Sequence, residues 1–208
     1  MINTRLRGLY AITDAGLIGD NFATAIEQTL QGGCRIIQYR DKSSDITKRQ
    51  QQSDIVRQLC DQYQALFIVN DDIELALYAN ADGIHLGKDD QHIQLARERL
   101  GNDKIIGVSC YNKLELAIAA EQAGADYVAF GAFFSSSIKP EAINAPTSLI
   151  ADAKTQLQVP VCCIGGITAN NANQLIEVGS DMIAVISDIF ASQDIKLASQ
   201  ILTKLFPD

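Results

Sequence analysis

No stretch of this 208-residue chain concentrates lysine and arginine: 17 basic residues stand against 25 acidic ones, for a formal charge of -8. A nucleic-acid surface neutralises phosphates with clustered cations, so no nucleic-acid partner is expected; a small anion held by a few local cations fits better. No apolar run approaches the roughly 20 residues of a membrane span, and no basic, apolar leader precedes GLYAIT, which excludes a membrane partner and points to the cytoplasm. The five cysteines (Cys34, Cys60, Cys110, Cys162 and Cys163) are odd in number and lack zinc-ligand spacing. They fall in apolar segments such as GVSC and VPVCCIGG, which suits buried, reduced thiols. Linkers, low-complexity stretches and long-period repeats are also missing, so residues 1–208 are expected to form one domain.

What the chain does contain is alternation. Short β-branched runs precede longer segments of helical periodicity: GLYAIT before NFATAIEQTLQGG, RIIQYR before DITKRQQQSDIVRQLCDQY, LFIVN before DIELALYAN, GIHLG before HIQLARERLG. IIGVS, YVAFG, VPVCCIGG and MIAVIS continue the series with their own helical segments. A parallel strand pair needs a crossover, and eight strand–helix units at this length predict a single α/β domain closed as a (β/α)8 TIM barrel. Gly32, Gly33, Gly101, Gly124 and Gly179 follow helical runs, where a left-handed residue is wanted.

In such a barrel the chemistry sits where strands run out into the loops before helices. The second strand ends in Gln38, Arg40 and Lys42, and alternation lets the three converge on an anionic, oxygen-rich group. The plainer alternative is an exposed basic strand end paired with Asp41 and Asp45. The third strand ends in Asn70, Asp71 and Asp72, and Asp89 and Asp90 follow the fourth. Asp71 and Asp90 suit one magnesium ion, which takes one or two protein carboxylates and leaves room for substrate phosphates; Asp72 and Asp89 read as helix caps. His85, between apolar neighbours, reads as a satisfied core histidine. The fifth strand ends at Ser109. The seventh opens into Gly165-Gly166-Ile167-Thr168 and the eighth into Ile186 and Ser187, where barrels often hold a phosphate. Two anion sites are thus expected, one near strands 2 to 4 and one near strands 7 and 8.

GLYAITD, QYRDK, LFIVNDD, GIHLGKDD, GVS, YVAFGAFF, KP, CIGGIT and AVIS, in this order across nearly the whole chain, resemble the thiamine phosphate synthase family. The resemblance implies a transferase that joins 4-amino-2-methyl-5-hydroxymethylpyrimidine diphosphate to 4-methyl-5-hydroxyethylthiazole phosphate and releases diphosphate. It also implies residue roles. Gln38, Arg40 and Lys42 would contact the pyrimidine diphosphate with Asn70 assisting. Asp71 and Asp90 would hold Mg2+, Ser109 would face the pyrimidine, and Lys139 would reach the leaving diphosphate. Gly166, Ile186 and Ser187 would hold the thiazole phosphate.

One loop departs from the family pattern. Where the family reads F-P-[TS]-x-T-K, this chain reads Phe134-Ser135-Ser136-Ser137-Ile138-Lys139. Ser136 keeps the first hydroxyl, Ser135 replaces the proline, and Ile138 replaces the second hydroxyl, at a cost of about 1–3 kcal/mol if that donor meets a phosphate. Gly131 and Pro140 would suit the hinges of a lid. The Ile138 departure keeps open a thiazole tautomerase, and a non-catalytic phosphate-binding barrel is a further alternative. An acid/base barrel would have only Asp14 as an additional candidate. Small-molecule substrates are the expected partners, and a homo-oligomer is compatible with the sequence.

Overall fold

A computed structural model describes residues 4–87, 93–135 and 145–206. Alternation along its strands divides the apolar side chains between two cores. In β1 (Gly8–Ile12), Tyr10 and Ile12 point into the barrel, while Leu9 and Ala11 pack against the helices. In β2 (Ile36–Tyr39) Ile36 points inward and Ile37 and Tyr39 outward, and in β3 (Leu66–Asn70) Leu66 and Ile68 point inward and Phe67 and Val69 outward. The remaining strands are β4 (Gly83–Leu86), β5 (Ile105–Tyr111), β6 (Tyr127–Phe130), β7 (Val161–Ile164) and β8 (Met182–Val185). All pair in parallel with their sequence neighbours, and β8 closes on β1 through Gly8 opposite Met182. The (β/α)8 barrel expected from the sequence is therefore the fold.

The helices are α1 (Ala15–Ile18), α2 (Phe22–Gln31), α3 (Ile46–Tyr63), α4 (Ile73–Tyr78), α5 (Ile93–Leu100) and α6 (Leu114–Gln122). After them come α7 (Ser148–Gln156), α8 (Asn173–Ile176), α9 (Ser187–Phe190) and α10 (Ile195–Thr203). Gly33, Gly101, Gly124 and Gly179 take the left-handed conformation after their helices, as the parse requires; Gly32, at φ −73°, stays right-handed. Three features differ from the sequence reading. β5 runs beyond Ser109 to Tyr111, with a register shift between those residues that lets the extra length pair with β6. The segment after β7 forms only one helical turn, because Asn171 folds back on the loop before it. A short helix, α9, intervenes between β8 and α10.

β5 passes close beneath the ring of Tyr127. A Cβ on Gly107 would lie 2.0 Å from Tyr127 Cζ, so glycine is required here for the aromatic ring to cross the barrel. The same register row runs Asn70, His85, Gly107, Tyr127 across four neighbouring strands. This row forms the floor of the C-terminal mouth.

Candidate active site

At the end of β2, Gln38 is 2% exposed and points inward. Arg40, one residue beyond the strand, is fixed through its backbone: its N–H donates to Thr13 Oγ1 at 2.8 Å, and its carbonyl accepts from the same hydroxyl at 3.2 Å. Thr13 N also donates to Gln38 O at 2.9 Å. Thr13 thus carries the orientation of β2 past its last paired residue, a role not read from the sequence. Lys42 lies on the exposed loop that follows. Strand alternation therefore ends at Tyr39, and Arg40 and Lys42 both lie beyond it, Arg40 with its backbone tied to Thr13 and Lys42 on the exposed loop.

The neighbouring acids, Asp41 and Asp45, are engaged elsewhere. Asp41 pairs with Lys48 at 2.9 Å and accepts from Ser43 N at 2.6 Å, while Asp45 caps α3 by accepting from Lys48 N at 2.9 Å. Those contacts hold the Asp41 carboxyl below its ordinary range against the opposing effect of burial. Among the described residues, neither Arg40 nor Lys42 has an ion pair. Two cations at a barrel mouth without an ion pair among the described residues suit an incoming anion.

The end of β3 separates its two acids by role. Asp72 accepts from Leu75 N at 2.9 Å and pairs with Arg49 at 2.6 Å, so it caps α4, as expected. Asp71 has a left-handed backbone, φ 62°; its Oδ1 accepts from Gly87 N at 3.2 Å and its Oδ2 from the Asn70 amide. Its own N–H donates to His85 O at 2.9 Å, which ties the ends of β3 and β4 together. Among the described residues, no group of three or more His, Cys, Asp or Glu side chains is placed to hold a metal. An oriented carboxylate with an amide beside it suits magnesium nonetheless, since that ion fills most of its coordination with water and substrate phosphate. Asp89 and Asp90 lie outside the described residues.

Inside the mouth, the Tyr10 and Tyr127 hydroxyls are 2.8 Å apart, and Gln38 Nε2 donates to Tyr10 at 2.7 Å. His85 Nδ1 lies 2.9 Å from the Tyr127 hydroxyl and Nε2 lies 2.9 Å from Ser109 Oγ. His85 is the satisfied core histidine expected, and burial pushes its imidazole down to about 4. Burial likewise pushes both tyrosine hydroxyls well above their ordinary range, so all three side chains are neutral near pH 7. The two tyrosines are not among the residues that the sequence singles out.

Across the mouth, the loop after β7 is braced by Asn171, which accepts from Thr168 N at 2.8 Å and donates to Gly166 O at 2.9 Å. Asp188 in α9 accepts from Ala169 N at 2.9 Å and so links this loop to the one after β8 that carries Ile186 and Ser187. Gly166, at φ 62°, is pressed against the start of the β6 loop: a Cβ there would lie 2.5 Å from Ser135 O. Phe133 N and Phe134 N donate to Ile164 O and Gly165 O at 3.1 and 3.0 Å. The start of the β6 loop, Phe133 to Ser135, is therefore held against the β7 end of the barrel. Ser136, Ile138 and Lys139 themselves lie outside the described residues, as does Pro140.

An apolar cavity of about 380 Å³ lies behind β4 and β5, lined by Leu86, Ile93, Val108, Leu116 and Ala120 among others. Of the mouth residues named above it touches Ser109 and Gly87, and its lining includes none of Arg40, Lys42, Asn70 and Asp71. The polar mouth, not this cavity, gathers the groups suited to chemistry.

Residues 9–189 match the family model described as thiamine monophosphate synthase. A thiamine-phosphate synthase of Nitrosococcus oceani is 49% identical over 207 residues, covering 99% of this chain and 95% of the relative. Another, from Chromobacterium violaceum, is 50% identical over 202 residues, with 97% of each chain covered. Among solved structures, thiamine phosphate pyrophosphorylase from Pyrococcus furiosus superposes with a TM-score of 0.88 at 34% identity, over 97% of this chain and 96% of that one.

Proposed function

The chain belongs to the thiamine monophosphate synthase family, and from that premise we propose how the two ends of its barrel mouth divide the work of synthesis. The protein is a transferase, a thiamine-phosphate synthase. Its substrates in this reading are the pyrimidine diphosphate and the thiazole phosphate. The pyrimidine methylene carbon loses its C–O bond as diphosphate departs with the electron pair. The thiazole nitrogen then supplies its lone pair to form the new C–N bond. No general base is needed, so the protein's part is positioning and charge stabilisation.

Arg40 and Lys42 receive the diphosphate, Asn70 orients Asp71, and Asp71 with Asp90 would hold Mg2+. The ion would neutralise charge on the departing diphosphate. Gln38 and Ser109 face the pyrimidine, Lys139 meets the leaving group, and Ser136 supplies the hydroxyl of the family's loop pattern, with Ile138 in place of the second. Gly166, Ile186 and Ser187 cradle the thiazole phosphate through main-chain N–H groups and a hydroxyl. The observation that carries this reading is the pair of cations, Arg40 and Lys42, without ion pairs among the described residues, next to a strand end where Asp71 is oriented by Asn70 and Gly87. A reducing cytoplasm suits the five buried free cysteines. No helix among the described residues is long and apolar enough to cross a membrane.

The test is to mix the protein with both substrates and magnesium and follow thiamine phosphate and diphosphate together, with and without a chelator. Equal, metal-dependent release of both products is expected. Binding of both substrates without either product would refute the assignment.

A further inference from the structure

Three side chains join the two pyrimidine-facing residues through the barrel interior. The path runs from Gln38 Nε2 to the Tyr10 hydroxyl, on to the Tyr127 hydroxyl, then through both ring nitrogens of His85 to Ser109 Oγ. Its two ends stand on β2 and β5, and its three middle members come from β1, β6 and β4. Counting protons fixes its direction. Gln38 donates to Tyr10, and among the described residues the Tyr10 hydroxyl has one other partner, Tyr127; the Tyr10 hydrogen must go there or be buried unmatched. Tyr127 then donates to His85 Nδ1, and His85 carries its proton on Nε2 and donates to Ser109. Ser109 consequently accepts from His85 and has its own hydrogen left to offer.

We propose that Tyr10, Tyr127 and His85 are positioning residues that make Ser109 a hydrogen-bond donor toward the mouth and leave the Gln38 carbonyl oxygen there as an acceptor. That pairing suits an aminopyrimidine, whose ring nitrogens accept and whose amino group donates. The inference rests on the reading that Gln38 and Ser109 face the pyrimidine. Reversing the chain would turn Ser109 into an acceptor and set two lone pairs against each other at the ring nitrogen.

The direction can be read without turnover. The chain contains two histidines, so protein labelled with ¹⁵N-histidine gives two rings, assigned by the His85→Gln variant. At neutral pH the His85 signal should be that of a neutral ring protonated on Nε2. A ring protonated on Nδ1, or an even mixture, would overturn the proposal whatever the kinetic variants do. Kinetics supply the second arm. Tyr127→Phe should raise the KM for the pyrimidine diphosphate about tenfold, the size of one neutral hydrogen bond, and leave that for the thiazole phosphate unchanged. Ser109→Ala should do the same, Ser109→Thr should restore affinity, and the two losses should not add in the double variant. Full additivity would make Tyr127 a packing residue and refute the relay. If Ser109→Ala leaves the pyrimidine KM unchanged while the ring is protonated on Nε2, the placement of Ser109 fails and the chain's direction stands.

Discussion

Asp71 shows how much one residue of this mouth depends on its backbone. Its left-handed conformation is one that asparagine and aspartate tolerate better than other non-glycine residues. Asp71→Asn should therefore keep the turn and the fold while removing the charge. Turnover should fall by at least about a hundredfold, the scale for losing one electrostatic group aimed at a developing charge, with the unfolding temperature nearly unchanged. Full activity would remove Asp71 from the metal site. His85 allows a second prediction at this scale. Its imidazole titrates at about 4 in the folded chain and near 6.5 when unfolded. Below pH 6.5 the unfolded state takes up a proton that the folded state refuses, so stability is full above that pH and falls as pH drops toward 4. The loss should reach up to about 3 kcal/mol, measured by denaturant unfolding across that range. His85→Gln should remove this part of the slope; an unchanged slope would contradict a buried, neutral ring.

Among the elements, β5 is the one on which the mouth depends most. Gly107 gives Tyr127 its path across the barrel, and Tyr127 holds His85 beneath Ser109. Gly107→Ala should destabilise the fold by about 1–3 kcal/mol through overpacking and lower the affinity for the pyrimidine diphosphate; a variant with native stability and affinity would show that the ring is not confined. The strands themselves were legible in the sequence because each is a short β-branched run ahead of a helical segment, and alternation along the second grouped Gln38 with Arg40 and Lys42 before any coordinates. Lys42 shows the limit of that logic, since periodicity stops meaning anything once the strand ends at Tyr39. Asp72 and Asp71 could be sorted into cap and candidate ligand by position alone, but the left-handed turn at Asp71 carries no sequence signal. The bracing of the β7 loop by Asn171 and Asp188 was also illegible, because α9 is a single turn too short to show a period.

The whole molecule supplies what no local pattern contains. Tyr10 and Tyr127 are 117 residues apart in sequence, and only the closing of eight strands into a ring brings their hydroxyls together. In the sequence each is one aromatic residue in an apolar strand, so the path from Gln38 to Ser109 could not be foreseen, although both of its ends were. Closure also sets the two proposed anion sites on one mouth, with the β2–β4 ends at one side and the β7–β8 ends at the other. A protein with a formal charge of -8 thereby keeps two local cations for an anionic substrate.

The most direct measurement is calorimetric titration of the wild type, Arg40→Ala and Gly166→Ala with each substrate separately in the presence of magnesium. The account predicts a crossed result: Arg40→Ala weakens the pyrimidine diphosphate about tenfold or more and spares the thiazole phosphate, and Gly166→Ala does the reverse. If either variant weakens both substrates equally, or if the effects fall on the opposite partners, the division of the mouth into two phosphate sites is wrong.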